Sequence, residues 1–505
     1  MARYIAPAAC ARCQSRTTAR KARDLRRLVE TFGQGTPHGC PRHRRGGLAG
    51  ASQRCGMTEP PTDLRIRPVS APLAFGQVSV QRINETYPLD RWSETYLAYP
   101  VALPAQVTFD RVRAALTGIA NRHEALRTRF VDDGHGRRQL VDPHPVVNLV
   151  VTDRSGYTES EALALTVSTG RQRFSWETEF SWRVLLLCDA GRPTYLGLVI
   201  DHVVSDGWGL LRLVAELRAD LGVDDPAGRR WIATPAPQPS EIALLQRSDR
   251  WRARRDGVAR YWRNLLTTLP ADAFPIPVAP GRDDEGRIEA ELRSSAARAA
   301  LAVVAQRNKV SQQTVMLALT ALAVHQVVGT DPVVLTLQAS NRHGPWQDVV
   351  TSMNQYSPLV VPIPAPDRPF ADFVRDVHTK GIIAYRHGCY DVDAIWDLVA
   401  QERGAPPSFD HFFNYLGDDV NAKELAEWDD PGERVVWNRP RRQIGPRFDI
   451  KVRNGNELSV VVRADPTLLG RPALEELMWW FARTLRRLAE DSPANVGHAL
   501  VESGQ

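Results

Sequence analysis

The 505-residue sequence predicts an α/β protein of packed helix and sheet layers arranged as two lobes. Three observations carry that prediction. Segments with helical and with strand periodicity alternate from about residue 70 onward. The chain is too long for one small core, so two to four lobes are expected. Two proline-rich stretches, 232–242 and 269–286, cannot continue a helix or an interior strand and so mark a seam. The expected organisation is a leader over 1–56, an N-terminal lobe over 57–235 and a C-terminal lobe over 236–505.

The leader stands apart in charge. Residues 1–56 carry twelve Lys and Arg against Asp24 and Glu30, while the remaining residues hold 52 basic and 56 acidic groups. The overall pI of about 9.1 is therefore a property of the leader. The main body has no excess of cations with which to bind nucleic acid. Four of the six cysteines, Cys10, Cys13, Cys40 and Cys55, also lie there. Cys10 and Cys13 have a zinc-knuckle spacing, but the second pair lacks the tight spacing that would complete it. With few large apolar residues and no sustained periodicity, the segment reads as a disordered or mis-assigned extension. A zinc or nucleic-acid module and a transit-like peptide are the alternatives. No metal site is expected in the body. Cys188 and Cys389 are isolated, as reduced thiols of a cytoplasmic protein would be. No apolar run is long enough to cross a bilayer.

The elements follow in order. Val112, Leu116, Ile119 and His123 recur at helical spacing within 109–131, and a strand follows at 127–131. Residues 182–201 are two β-rich runs around an Ala-Gly-Arg-Pro turn, which predicts a hairpin. Leu210, Leu213, Leu217 and Leu221 form the apolar stripe of a helix over 208–221. Residues 294–329 are helix-like and 332–340 strand-like. Residues 448–465 predict a hairpin turning at Asn454-Gly455-Asn456. A closing amphipathic helix spans 473–490.

The stretch "VIDHVVSDGWG", residues 199–209, holds the densest chemistry. A buried strand ends at Ile200 and the chain turns into the helix of 208–221, so Asp201, His202 and Asp206 sit at a strand mouth. Such loops present reactive groups on a fixed scaffold. A histidine there can accept a proton at neutral pH. Ser205 and Asp206 suit a helix N-cap, where an acid is favoured by the exposed N–H groups. Gly207 lets backbone or substrate approach closely. Each residue alone also has a plain structural reading: a cap, a turn aspartate, a hydrogen-bonded histidine.

"DHVVSDG" (201–207) resembles the His-His-x-x-x-Asp-Gly signature of the condensation-domain and CoA-dependent acyltransferase superfamily, with Asp201 in place of the first histidine. "PLAFGQ" (72–77), "NRHEALRTRF" (121–130), "YW" (261–262), "SNRHGPW" (340–346), "FNYLG" (413–417) and "FDIKV" (448–452) resemble further family segments, in family order. The resemblance covers about residues 70–490. It implies a pseudo-dimer of two chloramphenicol-acetyltransferase-like lobes with an interlobe tunnel. A phosphopantetheine-borne acyl group would enter from one side and a nucleophile from the other. His202 would take the proton of an attacking amine or alcohol, or stabilise the tetrahedral adduct. Asp206 would pair with an arginine, Arg127 or Arg342, and Gly207 would keep the tunnel open. Trp208, Asn341, Asn354 and Asn414 are candidate tunnel-lining, substrate-binding residues by motif position.

Asp201 bears on the subtype. Asp201 and Asp206 satisfy the Asp-x4-Asp register of heterocyclising relatives, which lack the histidine present here as His202. Amide or ester condensation is the leading expectation. A non-catalytic recruiting relative, heterocyclisation and CoA-dependent acyl transfer are the alternatives. A carboxylate beside His202 would raise its pKa unless Asp201 points away. The chain has no Gly-Gly-x-Ser attachment site and no adenylation or thioesterase segment, so a freestanding monomer is expected. Its acyl donor would come on a separate acyl or peptidyl carrier protein or as a CoA thioester. The chain itself would bind no cofactor, since no Walker loop, Gly-x-Gly-x-x-Gly or His-Glu-x-x-His motif occurs in 57–505.

Overall fold

The computed structural model describes residues 68–500 apart from 224, 271–272, 274–285, 419–431, 441 and 492. The basic leader with its four cysteines, and most of the second proline-rich stretch, lie outside the described residues.

Strands β1 (Val69–Pro72), β2 (Leu97–Ala102), β3 (Thr128–Asp132), β4 (Arg137–Val141), β5 (Leu149–Asp153), β6 (Trp182–Asp189) and β7 (Arg192–Ile200) belong to the first lobe. Strands β8 (Ile288–Ser294), β9 (Val333–Ala339), β10 (Gln355–Val361), β11 (Phe412–Asp418), β12 (Arg434–Asn438), β13 (Phe448–Asn454) and β14 (Leu458–Ala464) belong to the second. The first lobe has a four-stranded sheet, ordered β2-β7-β6-β5, and a small β1-β4-β3 sheet. The second has one seven-stranded sheet, ordered β10-β9-β11-β13-β14-β8-β12.

Helices α1 (Phe75–Glu85), α2 (Phe109–Arg122), α3 (Glu159–Thr169) and α4 (Gly207–Asp220) pack in the first lobe. There the β6–β7 hairpin is flanked by α4, whose Leu210, Leu213 and Leu217 are fully buried as the stripe predicted. The first proline-rich stretch holds the end of α5 (Pro226–Ala233) and the start of α6 (Pro239–Arg247). Pro239 opens α6 at its first turn, where a missing N–H leaves nothing unpaired. Helix α7 (Arg252–Thr268) sends Val258, Trp262 and Leu266 into the first lobe's core.

The run 294–329 is two helices, α8 (Ser295–Asn308) and α9 (Gln312–Val328). The break is Lys309, whose left-handed backbone (φ 55°) caps α8. Helices α10 (Phe370–Arg386), α11 (Val392–Arg403) and α12 (Arg471–Glu490) complete the second lobe. Val392, Ile395 and Val399 of α11 reach into the core of the first. Cys188 and Cys389 are both buried and unpaired. Among the described residues no helix is long and apolar enough to cross a membrane.

The lobes meet at specific points. A side chain on Gly76 would lie 2.3 Å from the carbonyl oxygen of Ser352, so glycine is what lets α1 touch the segment before β10. Glu94 accepts a hydrogen bond from the backbone of Gln443 at 2.7 Å, tying the first lobe to the loop before β13.

One face of the second lobe's sheet carries charged side chains. Along β13, Phe448, Ile450 and Val452 point into the core, while Asp449, Lys451 and Arg453 alternate onto the other face. The same alternation puts Glu289, Glu291 and Arg293 of β8, and Ser459 and Arg463 of β14, on that face. Arg463 stands opposite Asp449 on one neighbouring strand and Glu289 on the other.

Candidate active site

Strand β7 ends at Ile200 and α4 begins at Gly207, so the six residues between them form a tight turn. Asp201 receives its own loop: the backbone N–H of Val203 donates to its Oδ1 at 3.0 Å. The Trp176 indole donates to its Oδ2 at 2.7 Å. Both carboxylate oxygens therefore point into the first lobe, away from His202. Burial raises the Asp201 carboxyl from 3.8 to about 6, partly opposed by these two hydrogen bonds.

Asp206 faces the other way. Its Oδ1 caps α4 by accepting from Gly209 N at 3.0 Å. Gly209 is needed there, since a Cβ would sit 2.4 Å from Ser205 Oγ. Arg342 of the second lobe then grips the same carboxylate with Nη2 at 2.6 Å from Oδ1 and Nε at 3.0 Å from Oδ2. The N–H of Met353 adds a fourth hydrogen bond at 3.2 Å. The remaining Arg342 donors go to the carbonyls of Gln347, Val349 and Thr351. The two side chains are 4% and 0% exposed. A buried bidentate pair of this kind fixes geometry more than it adds stability.

Of the two arginines the sequence offered, Arg342 is the partner of Asp206 and Arg127 is not. Arg127 lies where the 3₁₀ turn after α2 enters β3, and its Nη1 donates to the carbonyl of Asp142, just after β4. The rest of its motif serves α4 instead. Arg122 and His123 both contact the buried Glu216 carboxylate, at 2.8 and 3.0 Å, and so anchor the helix that follows the reactive loop.

His202 lies between these aspartates at the boundary of the lobes. Its Nδ1 is 3.4 Å from Ser352 Oγ of the second lobe, and Nε2 has no hydrogen bond among the described residues. Burial holds the imidazole below its ordinary pKa; the charge of Asp206 pulls it up and that of Arg442 pushes it down. The ring is therefore neutral at neutral pH and free to accept a proton. It lines two cavities. The larger, about 570 Å³, runs between the lobes. Gly207, Trp208, Asn341, Asn354 and Asn414 all border it, as does Arg342. A smaller one, about 80 Å³, lies toward α1, bounded by Ser79, Ile83 and Asn84. Thr95, Gln338, Asn354 and Arg442 border both, so the imidazole is approached from two sides.

Asn341 has a structural duty too. From a left-handed backbone (φ 53°), its amide donates to the carbonyls of Met353 and Gly388, both at 3.0 Å. Sequence reasoning missed the charged wall of the large cavity, made by Glu289, Lys451 and Arg463 with Arg442. The alternation of charge with Phe448, Ile450 and Val452 was the available signal.

The family model for the condensation domain matches residues 93–499. CymA of Salinispora arenicola, a probable nonribosomal peptide synthetase, is 29% identical over 405 residues, covering 76% of this chain and 5% of that protein. The beauvericin nonribosomal cyclodepsipeptide synthetase of Beauveria bassiana is 28% identical over 260 residues, covering 49% of this chain and 8% of that protein. The chain thus spans only a small part of these relatives. Among solved structures, the condensation domain of the monacolin K polyketide synthase MokA superposes with a TM-score of 0.65 at 15% identity, covering 85% of this chain and 99% of that one. The first condensation domain of the calcium-dependent antibiotic synthetase gives 0.62 at 20%, with the same coverages. The expected two-lobed pseudo-dimer is the fold of these domains, and the chain belongs to the condensation-domain family.

Proposed function

We propose that this protein joins an acyl or aminoacyl thioester, borne on the phosphopantetheine of a carrier protein, to an amine or hydroxyl acceptor, with His202 as the proton acceptor. The observation that carries this reading is the neutral, half-buried imidazole bordering two cavities at the lobe boundary. The acceptor nitrogen or oxygen attacks the thioester carbon while Nε2 of His202 takes its proton. The tetrahedral adduct then collapses, breaking the C–S bond, and the leaving thiolate takes that proton back. Asp206 and Arg342 hold the loop and the lobes in register. Asp201, turned toward Trp176, is a structural residue that leaves the imidazole neutral.

Two neighbours in solved structures bear on the reaction, and the first of them holds a CoA compound. One is a starter condensation domain of rhizomide synthetase in complex with C8-CoA, 17% identical. The other is a domain described as mediating chain release from the enacyloxin polyketide synthase, 18% identical. A CoA thioester would supply the same reacting group. The rival reading, a recruiting module without chemistry, predicts that His202 is dispensable.

The test mixes the protein with acyl-loaded carrier proteins, acyl-CoAs and candidate acceptors, and follows product by mass spectrometry. His202→Ala is expected to lose about 10²–10⁴ in rate with unchanged circular dichroism. Wild-type turnover by that variant overturns the proposal.

A further inference from the structure

The charged wall of the large cavity has donors to spare. Arg463 is 2% exposed and lines the cavity, yet its Nε has no hydrogen bond. Its Nη1 donates to the carbonyl oxygen of Arg442 at 3.2 Å, and its Nη2 stands 3.3 Å from Asp449. Arg442 is left with still less. Among the described residues its guanidinium makes no hydrogen bond or ion pair, and its Nε is enclosed. It borders both cavities that meet at His202, and its charge acts on that imidazole. Its backbone is held from two sides, by Arg463 on its carbonyl and by Glu94 on the next N–H.

A half-buried guanidinium that faces a polar cavity with its Nε enclosed and no acceptor is under-satisfied, and a bound anion would pair with it. Lys451 and Arg463 both stand 3.3 Å from Asp449, and Glu289 lies opposite Arg463 on the next strand, so the charge left without a partner is that of Arg442. An arginine presents its donors in a fork that matches a carboxylate.

Resting on the acyl-transfer reading, we propose that Arg442, propped by Arg463, binds a carboxylate adjacent to the acceptor's nucleophile. The acceptor is then a free amino acid or hydroxy acid and not a carrier-bound aminoacyl group. Three points select the acceptor. The donor's own carboxyl is the thioester under attack, so it has no free carboxylate at the reacting centre. The phosphates of a pantetheinyl donor lie a full pantetheine arm from the thioester, whereas Arg442 borders the same two cavities as His202. A carrier-bound acceptor has its carboxylate masked as a thioester and would leave the arginine unpaired. Pairing has a second effect. Burial is the main reason the His202 imidazole lies below its ordinary pKa, and pairing removes the smaller contribution that the Arg442 charge adds to it.

The test has two readouts. The first compares kcat/KM for free α-amino and α-hydroxy acids with that for their methyl esters, using one acyl donor. The acid-to-ester ratio is expected to exceed ten in the wild type and to fall about ten- to a hundredfold in Arg442→Gln, with Arg442→Lys recovering part. The second is calorimetric binding of the same acids and esters without any donor, where the acids should bind and Arg442→Gln should abolish their advantage. Turnover that proceeds equally well with acid and ester, or that needs a carrier-bound acceptor, overturns the inference. No turnover with any pair, while acid binding still depends on Arg442, overturns acyl transfer but upholds the anion subsite. Neither turnover nor acid binding overturns both.

Discussion

Arg342 and Arg463 are both nearly buried arginines of the second lobe, both border the same cavity, and they are treated in opposite ways. Arg342 spends all five of its N–H groups, two on Asp206 and three on backbone carbonyls. Arg463 makes one hydrogen bond and one looser ion pair, and keeps Nε unpaired. Full satisfaction marks a part whose geometry must not change. Incomplete satisfaction inside a cavity marks a part built to meet something else. The seam that positions His202 is of the first kind, and the wall that faces it is of the second.

The contrast breaks most visibly at the seam. Arg342→Ala leaves Asp206 buried without its cation and should cost about 3–5 kcal/mol in urea unfolding. Lysine cannot reproduce the fork, so Arg342→Lys should recover less than half of that. Adding Asp206→Asn to Arg342→Ala removes the stranded charge while keeping an acceptor for Gly209 N–H. The double variant is therefore expected to be more stable than Arg342→Ala alone. Equal stability of Arg342→Ala and wild type would mean that the seam does not hold the lobes.

How much of this could be read from the chain follows the same division. The reactive loop was legible because its determinants are local: a run of β-favouring residues ending at Ile200, a capping aspartate, and leucines at helical spacing. The hairpin 448–465 and the closing helix were legible for the same reason. The Asp206–Arg342 contact was not, since it joins residues 136 apart in sequence and Arg127 satisfied the same residue-type requirement. Residues 294–329 read as one helix because the apolar pattern runs through Lys309, and only its left-handed backbone divides them. The charged wall is half legible. Alternation shows that Asp449, Lys451 and Arg463 share a face, but only the three-dimensional arrangement shows that this face closes a cavity at His202.

A smaller effect isolates Asp201. Its folded carboxyl is raised by burial from 3.8 to about 6, so its contribution to stability is fully present below about pH 4. That contribution is lost as the pH rises through 6. Asparagine does not titrate there. The stability of Asp201→Asn relative to wild type should therefore climb by on the order of 3 kcal/mol between pH 4 and pH 7. Any constant offset from altered hydrogen bonds to Trp176 and Val203 cancels in that difference. Urea unfolding at matched pH values measures it, and a pH-independent gap would show that the carboxyl is solvated and open toward His202.

The mildest expected effect falls on Arg463 and separates the two arginines most directly. Replacing it with methionine removes one hydrogen bond and one ion pair, but Asp449 keeps Lys451 at 3.3 Å and so is not stranded. The methionine leaves no N–H unpaired in the cavity. The cost in urea unfolding should be about 1–2 kcal/mol, well under that of Arg342→Ala. A loss as large as the one at the seam would place Arg463 among the structural charges. The alternating face of β8, β13 and β14 would then be a buried salt-bridge network and not a wall that receives a ligand.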